Sequence, residues 1–294
     1  MTLSSAQGRY ALSAVGTALS TGVSGTPTLG FAPVPISYPS ASVAYVARCI
    51  LAAATDEGVI VLSTGVTSAS DAWTAGTAQV DTATILAAGG CTSNGTMTLV
   101  VTAAGMTGSP KNVAVALTTT AQTTAALIAT AARTALTADT AVAALFTVGG
   151  TGADITLTRK ATSTFTIPTG TLSLYPANDA TLNLAIPSGL GVTAAPTSTD
   201  TTAGVASAGA YWIDGDAKDF EGVTLPTMTG LYGLLIKSNS GAFTLATTGG
   251  EYADEMVDGQ VTLRLSNATT VLPVTTATFT ASAVCDFTLT VIGA

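Results

Sequence analysis

A chain of 294 residues is long enough for about two domains, but with 47% hydrophobic, 9% charged and 5% aromatic residues it must build its cores from small side chains, Ala and Val, among Thr, Ser and Gly. A net charge of -8, with nine scattered basic residues, makes nucleic acid a poor partner, and the complete lack of His removes the commonest general base, proton shuttle and metal ligand. Cys49, Cys91 and Cys285 are odd in number and far apart with no CxxC, so they make neither a disulfide framework nor a zinc site and read as small buried hydrophobes.

Burial at ~25 cal/mol per Å² has to offset ~1 to 2 kcal/mol of backbone entropy per residue, which a core of small residues does thinly. Extra burial between subunits is therefore expected. The start, Met1-Thr-Leu-Ser-Ser, has neither the basic residues nor the unbroken apolar core of a secretory signal. No run approaches ~18 apolar residues, so no membrane helix is expected, and the protein should be made and folded in a cytoplasm.

Residues 1–42 are rich in Ser, Gly, Thr and Pro and end in Phe31-Ala-Pro-Val-Pro-Ile-Ser-Tyr-Pro39. Pro33, Pro35 and Pro39 forbid a helix and favour extended chain. Such a composition suits a solvated tail, but Leu29, Phe31, Val34, Ile36 and Tyr38 are more apolar than a tail requires. An extended N-terminal arm lying on a neighbouring subunit is expected.

Residues 43–54 and 59–62 read as strands joined at the turn signal Asp56-Glu57-Gly58. A hinge at Gly89-Gly90-Cys91 leads to the stretch with the clearest plan. Met97, Leu99 and Val101 alternate with Thr, as do Val113, Val115 and Leu117 with Asn112, Ala114 and Thr118, giving two strands joined through Gly105 to Pro110. Helical spacing follows at Leu127, Ile128, Ala131, Ala132, Ala135 and Leu136, capped by Thr123 or Thr124. Asp139 caps a second helix carrying Val142, Leu145 and Phe146. Gly149, Gly150 and Gly152 end it before a strand at Ile155 and Leu157. This is a two-layer strand-strand-helix-helix-strand module.

Further strands are expected around Phe165 and Ile167, Leu172 and Leu174, and Leu182 to Ile186. Residues 193–205 have linker composition and mark a boundary. Residues 211–294 are again β-rich, punctuated by Gly222, Gly230, Gly241, Gly249 and Gly259. Two early strands cannot fold alone. The fold class is therefore mainly β with an α+β insertion. Residues 43–86 and 205–294 make a discontinuous β-sandwich or barrel base, and residues 87–204 the inserted module.

Only a few constellations could carry chemistry. Asp214, Asp216, Asp219 and Glu221 crowd one loop with the oxygen ligands calcium takes. The pattern opens like an EF-hand and then departs, with Lys218 at the fifth position, Asp219 where Gly is required and Leu225 where Glu is required. A solvated acidic turn is the other reading, and no other cofactor is indicated. Tyr211, Trp212 and Phe220 flank the loop and suggest an interface. Glu251, Asp254, Glu255 and Asp258 read as a charged sheet edge that discourages strand pairing. No Ser-x-x-Lys or Gly-x-Ser-x-Gly occurs. Gly149-Gly-Thr-Gly152 follows a helix, the reverse of a phosphate loop.

Asn94-Gly-Thr-Met-Thr-Leu-Val-Val-Thr-Ala-Ala-Gly-Met-Thr-Gly-Ser-Pro-Lys-Asn-Val-Ala-Val-Ala-Leu-Thr118 is followed by Thr124-Ala-Ala-Leu-Ile-Ala129, by Ala141 to Ala153 and by Ile155-Thr-Leu-Thr-Arg-Lys160. Together these resemble a module of structural proteins of tailed bacteriophages. Asn178-Asp-Ala-Thr-Leu-Asn-Leu-Ala-Ile186 and Thr193-Ala-Ala-Pro-Thr-Ser198 resemble its usual continuation. The likeness spans about two fifths of the chain and contains no catalytic motif. It implies a non-enzymatic virion protein: a capsid decoration, cement or fibre-base component that binds the major capsid protein or other virion proteins and itself as a homo-oligomer. A tail tube, baseplate or fibre component is the alternative. A carbohydrate-binding or glycan-cleaving β module is the reading from another class, with paired carboxylates as its chemistry.

Overall fold

The computed structural model describes residues 43–62, 70–87, 89–186, 188–194, 198–214, 218–220, 230–249, 252–265 and 271–293. The chain is mainly β, in several antiparallel sheets. It divides into two compact units, Met1–Asp71 with Ala210–Ala294, and Ala72–Gly209. Among the described residues no helix is long and apolar enough to cross a membrane.

In chain order, the first unit begins with β1 (Val43–Leu51) and β2 (Glu57–Val61). The second contains β3 (Val80–Leu86), β4 (Gly95–Thr102), β5 (Lys111–Leu117), α1 (Ala125–Ala138), α2 (Thr140–Leu145), β6 (Phe146–Gly149), β7 (Asp154–Arg159), β8 (Ser163–Ile167), β9 (Gly170–Leu174), β10 (Asn183–Ala185), β11 (Thr193–Ala194) and β12 (Thr199–Thr202). The first unit resumes with β13 (Ala210–Asp214), β14 (Lys218–Phe220), β15 (Leu231–Ser240), β16 (Phe243–Thr248), β17 (Ala253–Met256), β18 (Val261–Leu265), β19 (Thr276–Ala281) and β20 (Cys285–Gly293).

The first unit holds a six-stranded sheet, β14-β13-β1-β20-β15-β18, and a four-stranded sheet, β17-β16-β19-β2. Both contribute to one core. Alternation sends Ala47, Cys49 and Leu51 inward with Phe287, Leu289 and Val291, where they meet Ile60, Phe243, Leu245 and Phe279 from the other sheet. Phe279 stacks on Phe287 with centroids 4.3 Å apart, and Phe243 lies 4.8 Å from Phe287. So few aromatics suffice because they are gathered at one point. The early strands do pair with the C-terminal ones: β1 lies between β13 and β20, and β2 pairs β19.

β2 is a sheet edge, and its outer groups are occupied. Val59 N–H donates to Ser70 Oγ at 2.8 Å, whose hydroxyl donates back to the Val59 carbonyl at 3.0 Å. Glu57 N–H donates to Asp71 Oδ2 at 2.7 Å. A side-chain plug of this kind removes the template for a stray strand.

In the second unit β10-β4-β5 form one sheet and β11-β3-β7-β6 another, with β12 also pairing β3. A single core joins them to both helices through Leu99, Val113, Ile128, Ala132, Val142 and Leu157. Thr124 caps α1 by accepting from Leu127 N–H at 3.3 Å, and Asp139 caps α2 by accepting from Ala141 and Val142 N–H. The helix buries Ile128, Ala129, Ala132 and Leu136, while Leu127, expected in the apolar stripe, is 43% exposed. Phe146 opens β6 rather than ending the second helix, because its ring is needed in the core and its backbone pairs with Arg159.

Three boundaries differ from the sequence reading. Val80–Leu86 belongs to the second unit, not the base, since β3 is the strand to which β7, β11 and β12 attach. Residues 198–205 are not a free linker. Their Thr-rich backbone pairs along β3, and Val205 bridges Thr77. Polar, β-branched residues look like linker by polarity and like edge strand by propensity, and here pairing wins. Gly89-Gly90-Cys91 is not a hinge. Gly90 sits at φ 82° with room for no Cβ against the Thr123 backbone, and Cys91 N–H donates to the Gln122 carbonyl at 2.8 Å.

The two ends of the inserted segment run side by side, bridged at Thr74 with Ala208 and Thr77 with Val205. Gly209 closes this clasp at φ 86°, where a Cβ would fall 2.1 Å from the Ala72 carbonyl oxygen. Gly209→Ala is expected to destabilise the second unit by more than about 1 kcal/mol, read as a lower denaturant midpoint with unchanged slope. A midpoint equal to wild type would show that the clasp does not hold the unit closed.

Candidate functional site: acidic hairpin, buried polar cluster and outward sheet face

Only some of the residues chosen from sequence fall among the described residues. Asp214 ends β13 and Asp219 lies in β14, with Asp214 opposite Lys218 and Asp219 opposite Ile213. Within the acidic stretch, the described residues form two paired strands. Asp216 and Glu221 lie outside the described residues, as do Phe31, Val34, Ile36 and Tyr38. Among the described residues no group of three His, Cys, Asp or Glu side chains is placed to hold a metal ion. Phe220 is described only as a strand residue opposite Trp212.

Trp212 is not a docking residue. It is 2% exposed, edge-on to Phe279 and Phe287 at 6.4 and 6.0 Å, and its Nε1–H donates to Ser70 Oγ at 3.1 Å. Strand parity explains this: Ala210 and Trp212 face the core, and Tyr211 between them is half-buried on the other face beside Ile50. The second acidic group is divided too. Asp254, in edge strand β17, pairs with Arg264 at 2.8 Å, and Arg264 also lies 5.0 Å from the Tyr252 ring centre. Glu251 lies outside the described residues. Cys49 and Cys285 are both buried, which pushes the Cys285 thiol up to about 12 and Cys49 well above the ordinary thiol range. Thiols so placed stay protonated and are poor nucleophiles.

A polar cluster that sequence reading missed lies at one end of the second unit's core. Asp81 faces inward on β3 with Ala83 and Ile85, and is 2% exposed. Its Oδ2 accepts from the Ser198 hydroxyl at 2.8 Å, and Ser198 Oγ accepts from Leu184 N–H at 2.8 Å. Its Oδ1 is buried and has no partner. Burial raises its pKa, and the nearby carboxylates Asp200 and Asp179 add to the shift while hydrogen bonds from Ser198 and Gln79 oppose it. Asp200 stands directly opposite Asp81 in the β3–β12 ladder, a like-charge pairing that disfavours a second ionised carboxylate.

Asp179 shows the opposite behaviour. Burial alone would raise its pKa, but the Thr181 hydroxyl and the N–H groups of Ala104 and Thr181, with Arg159 nearby, hold it below the usual carboxylate range. Gln79 links the pair by donating to the Asp179 carbonyl at 3.2 Å and accepting Asp179 N–H at 2.7 Å. The cluster thus fastens residues 178–184 and 198–202 to β3. Its signal in the sequence was Asp81 breaking the inward run of a strand. A lone charge in such a run is easily taken for a surface residue when only alternation is counted.

The last feature is the outward face of the six-stranded sheet. Val46, Thr290, Leu235 and Leu263 stand in register across β1, β20, β15 and β18, with Ile292 and Val261 beside them. None of the five aliphatic residues belongs to either core, and Val46 and Val261 are 40% and 54% exposed. A polar border of Arg48, Asp286, Asn239 and Lys237 adjoins this strip. In it Arg48 donates from Nε and Nη2 to the two Asp286 oxygens at 2.8 Å each.

Asp81→Asn tests the polar cluster. Because the folded-state pKa of Asp81 is raised, its contribution to stability is full at low pH and is lost as pH rises through the folded value. The variant is therefore expected to be more stable than wild type at pH 7, with the difference shrinking toward pH 4, as measured by thermal melts across pH. A constant difference at every pH would remove Asp81 as the titrating group.

No protein family, no curated protein and no solved structure matches the chain.

Proposed function

We propose that this chain is a non-enzymatic structural component of a tailed-phage particle. In this reading it is a capsid decoration, cement or fibre-base protein that binds further copies of itself and the major capsid protein. Residues 43–71 and 210–294 serve as a discontinuous β-sandwich base, and residues 72–209 as an inserted α+β module. The work it performs is burial. It joins neighbouring subunits through residues 1–42 and through the sheet surface that they lead into, with no cofactor.

The observation that carries this reading is the outward face of the six-stranded sheet. Aliphatic side chains gathered from four strands, with Val46, Leu235 and Leu263 in one row through Thr290 and all of them left outside both cores, are what an interface uses and a free surface seldom displays. The use of polar groups agrees with it. Ser70 and Asp71 seal a strand edge, Asp56 and Asp179 accept backbone N–H groups, and Arg48 and Arg264 are paired with carboxylates. These groups hold strands in place. The phage-like phrases between Asn94 and Ser198 point the same way.

Mass measurement by light scattering and electron microscopy of the purified chain test the reading. The full chain is expected to form a defined homo-oligomer and to bind phage heads. A chain lacking residues 1–42 is expected to keep its far-ultraviolet spectrum but lose both properties. A truncated chain that assembles and binds like the full one would overturn the role given to the arm, and a monomeric full chain with no affinity for particles would overturn the proposal.

A further inference from the structure

We infer that the outward apolar strip of the six-stranded sheet is the landing site for the segment Phe31–Tyr38 of a second copy of this chain. The inference rests on the assembly reading above and names the contact by which it happens.

Three features lead to this occupant. The first is chemical match. The strip formed by Val46, Leu235, Leu263 and Ile292 is aliphatic and uncharged, with its ions confined to one border. Phe31, Val34, Ile36 and Tyr38 place four large aliphatic or aromatic side chains within eight residues of the chain, and no charge lies between Tyr10 and Tyr45. Burying such a run on such a strip is favourable at ~25 cal/mol per Å² of apolar surface.

The second is the backbone of the segment. Pro33, Pro35 and Pro39 have no N–H to donate, so this stretch is poorly suited to extend a sheet at its edge. Proline's fixed φ favours extended chain, and a segment biased in that way loses less freedom when its side chains are laid across a sheet face.

The third is where the segment leads. Tyr38 is five residues from Val43, the first residue of β1, so it is tethered within about 18 Å of that strand's start. β1 itself presents Val46 on the strip. Two copies related by a two-fold axis that passes beside their strips can each lay the donor segment on the partner's acceptor face, and exchanging arms satisfies both with one kind of contact. Such an exchange needs no second specialised surface.

The test uses the full chain and cysteine cross-linking with a short bis-maleimide. Cys49 and Cys285 are 0% exposed and Cys91 is 6% exposed, which leaves introduced thiols as the reactive ones. Chains carrying Ile36→Cys are mixed with chains carrying Leu235→Cys. A covalent heterodimer between them is expected, and a chain carrying both substitutions is expected to cross-link between copies. Ile36→Asp, which leaves every described strand untouched, and Val46→Asp are each expected to weaken self-association at least tenfold.

Cross-linking of the double variant only within one chain would overturn the inference in favour of the chain's own arm. Loss of assembly on removal of residues 1–42, with no cross-link and with Val46→Asp assembling normally, would also overturn it, because the arm would then bind elsewhere while the assembly reading stands. Normal assembly of the chain lacking residues 1–42 would overturn both.

Discussion

The pairing of β1 with β20 is the constraint on which the first unit depends. Nine residues of β1 are in register with nine of β20, from Val43 opposite Gly293 to Leu51 opposite Cys285, and no other pairing joins the two ends of the described chain so fully. A slip of one residue would turn Cys49, Phe287 and Leu289 out of the core and bring Arg48 and Asp286 in. The two-point Arg48–Asp286 bond lies on the opposite face and is satisfied in only one register. It is partly exposed, so it adds modestly to stability. Its larger effect is on which alignment is allowed.

Given that register, the remaining strands are recruited by parity and by plugs. Trp212 enters the core because β13 pairs with β1 in a fixed alignment, and its indole N–H then meets Ser70, the residue that seals β2. One hydroxyl therefore connects an aromatic core to a protected edge. The second unit solves the same problem with carboxylates. Asp81 ties Ser198 to β3 and Asp179 binds the Ala104 amide, but Asp179 is held ionised by donors while Asp81 is driven toward its neutral form by burial. The difference follows from the number of N–H and O–H groups each can reach.

Much of this was legible in the sequence. Alternation located β4, β5 and β7, helical spacing with a threonine cap located α1, and the shortage of early strands implied that β1 and β2 pair with the C-terminal part. What was not legible had physical reasons. Residues 199–202 were taken for linker because Thr and Asp are polar, while their pairing is dictated by an open edge of β3 that only the fold reveals. Trp212 was taken for an interface residue from its acidic neighbourhood, though its parity with Ala210 decides its burial. For the acidic stretch, composition gives no hint of the strand pairing that sets Asp214 opposite Lys218. The outward strip was invisible because its members lie on four strands separated in sequence, and each alone resembles an ordinary outward residue.

The order of the strands also has a consequence for synthesis. β1 leaves the ribosome early, yet both of its sheet neighbours, β13 and β20, are made after the whole inserted unit, and Arg48 waits 238 residues for Asp286. At ~5 to 20 residues per second that interval is on the order of tens of seconds, during which an apolar strand has two unpaired edges. The inserted unit draws its strands and both helices from one continuous stretch, so it has what it needs to fold first. The first unit can close only once β20 has been made, so the sheet face that β1, β20, β15 and β18 share comes into being with its last strand.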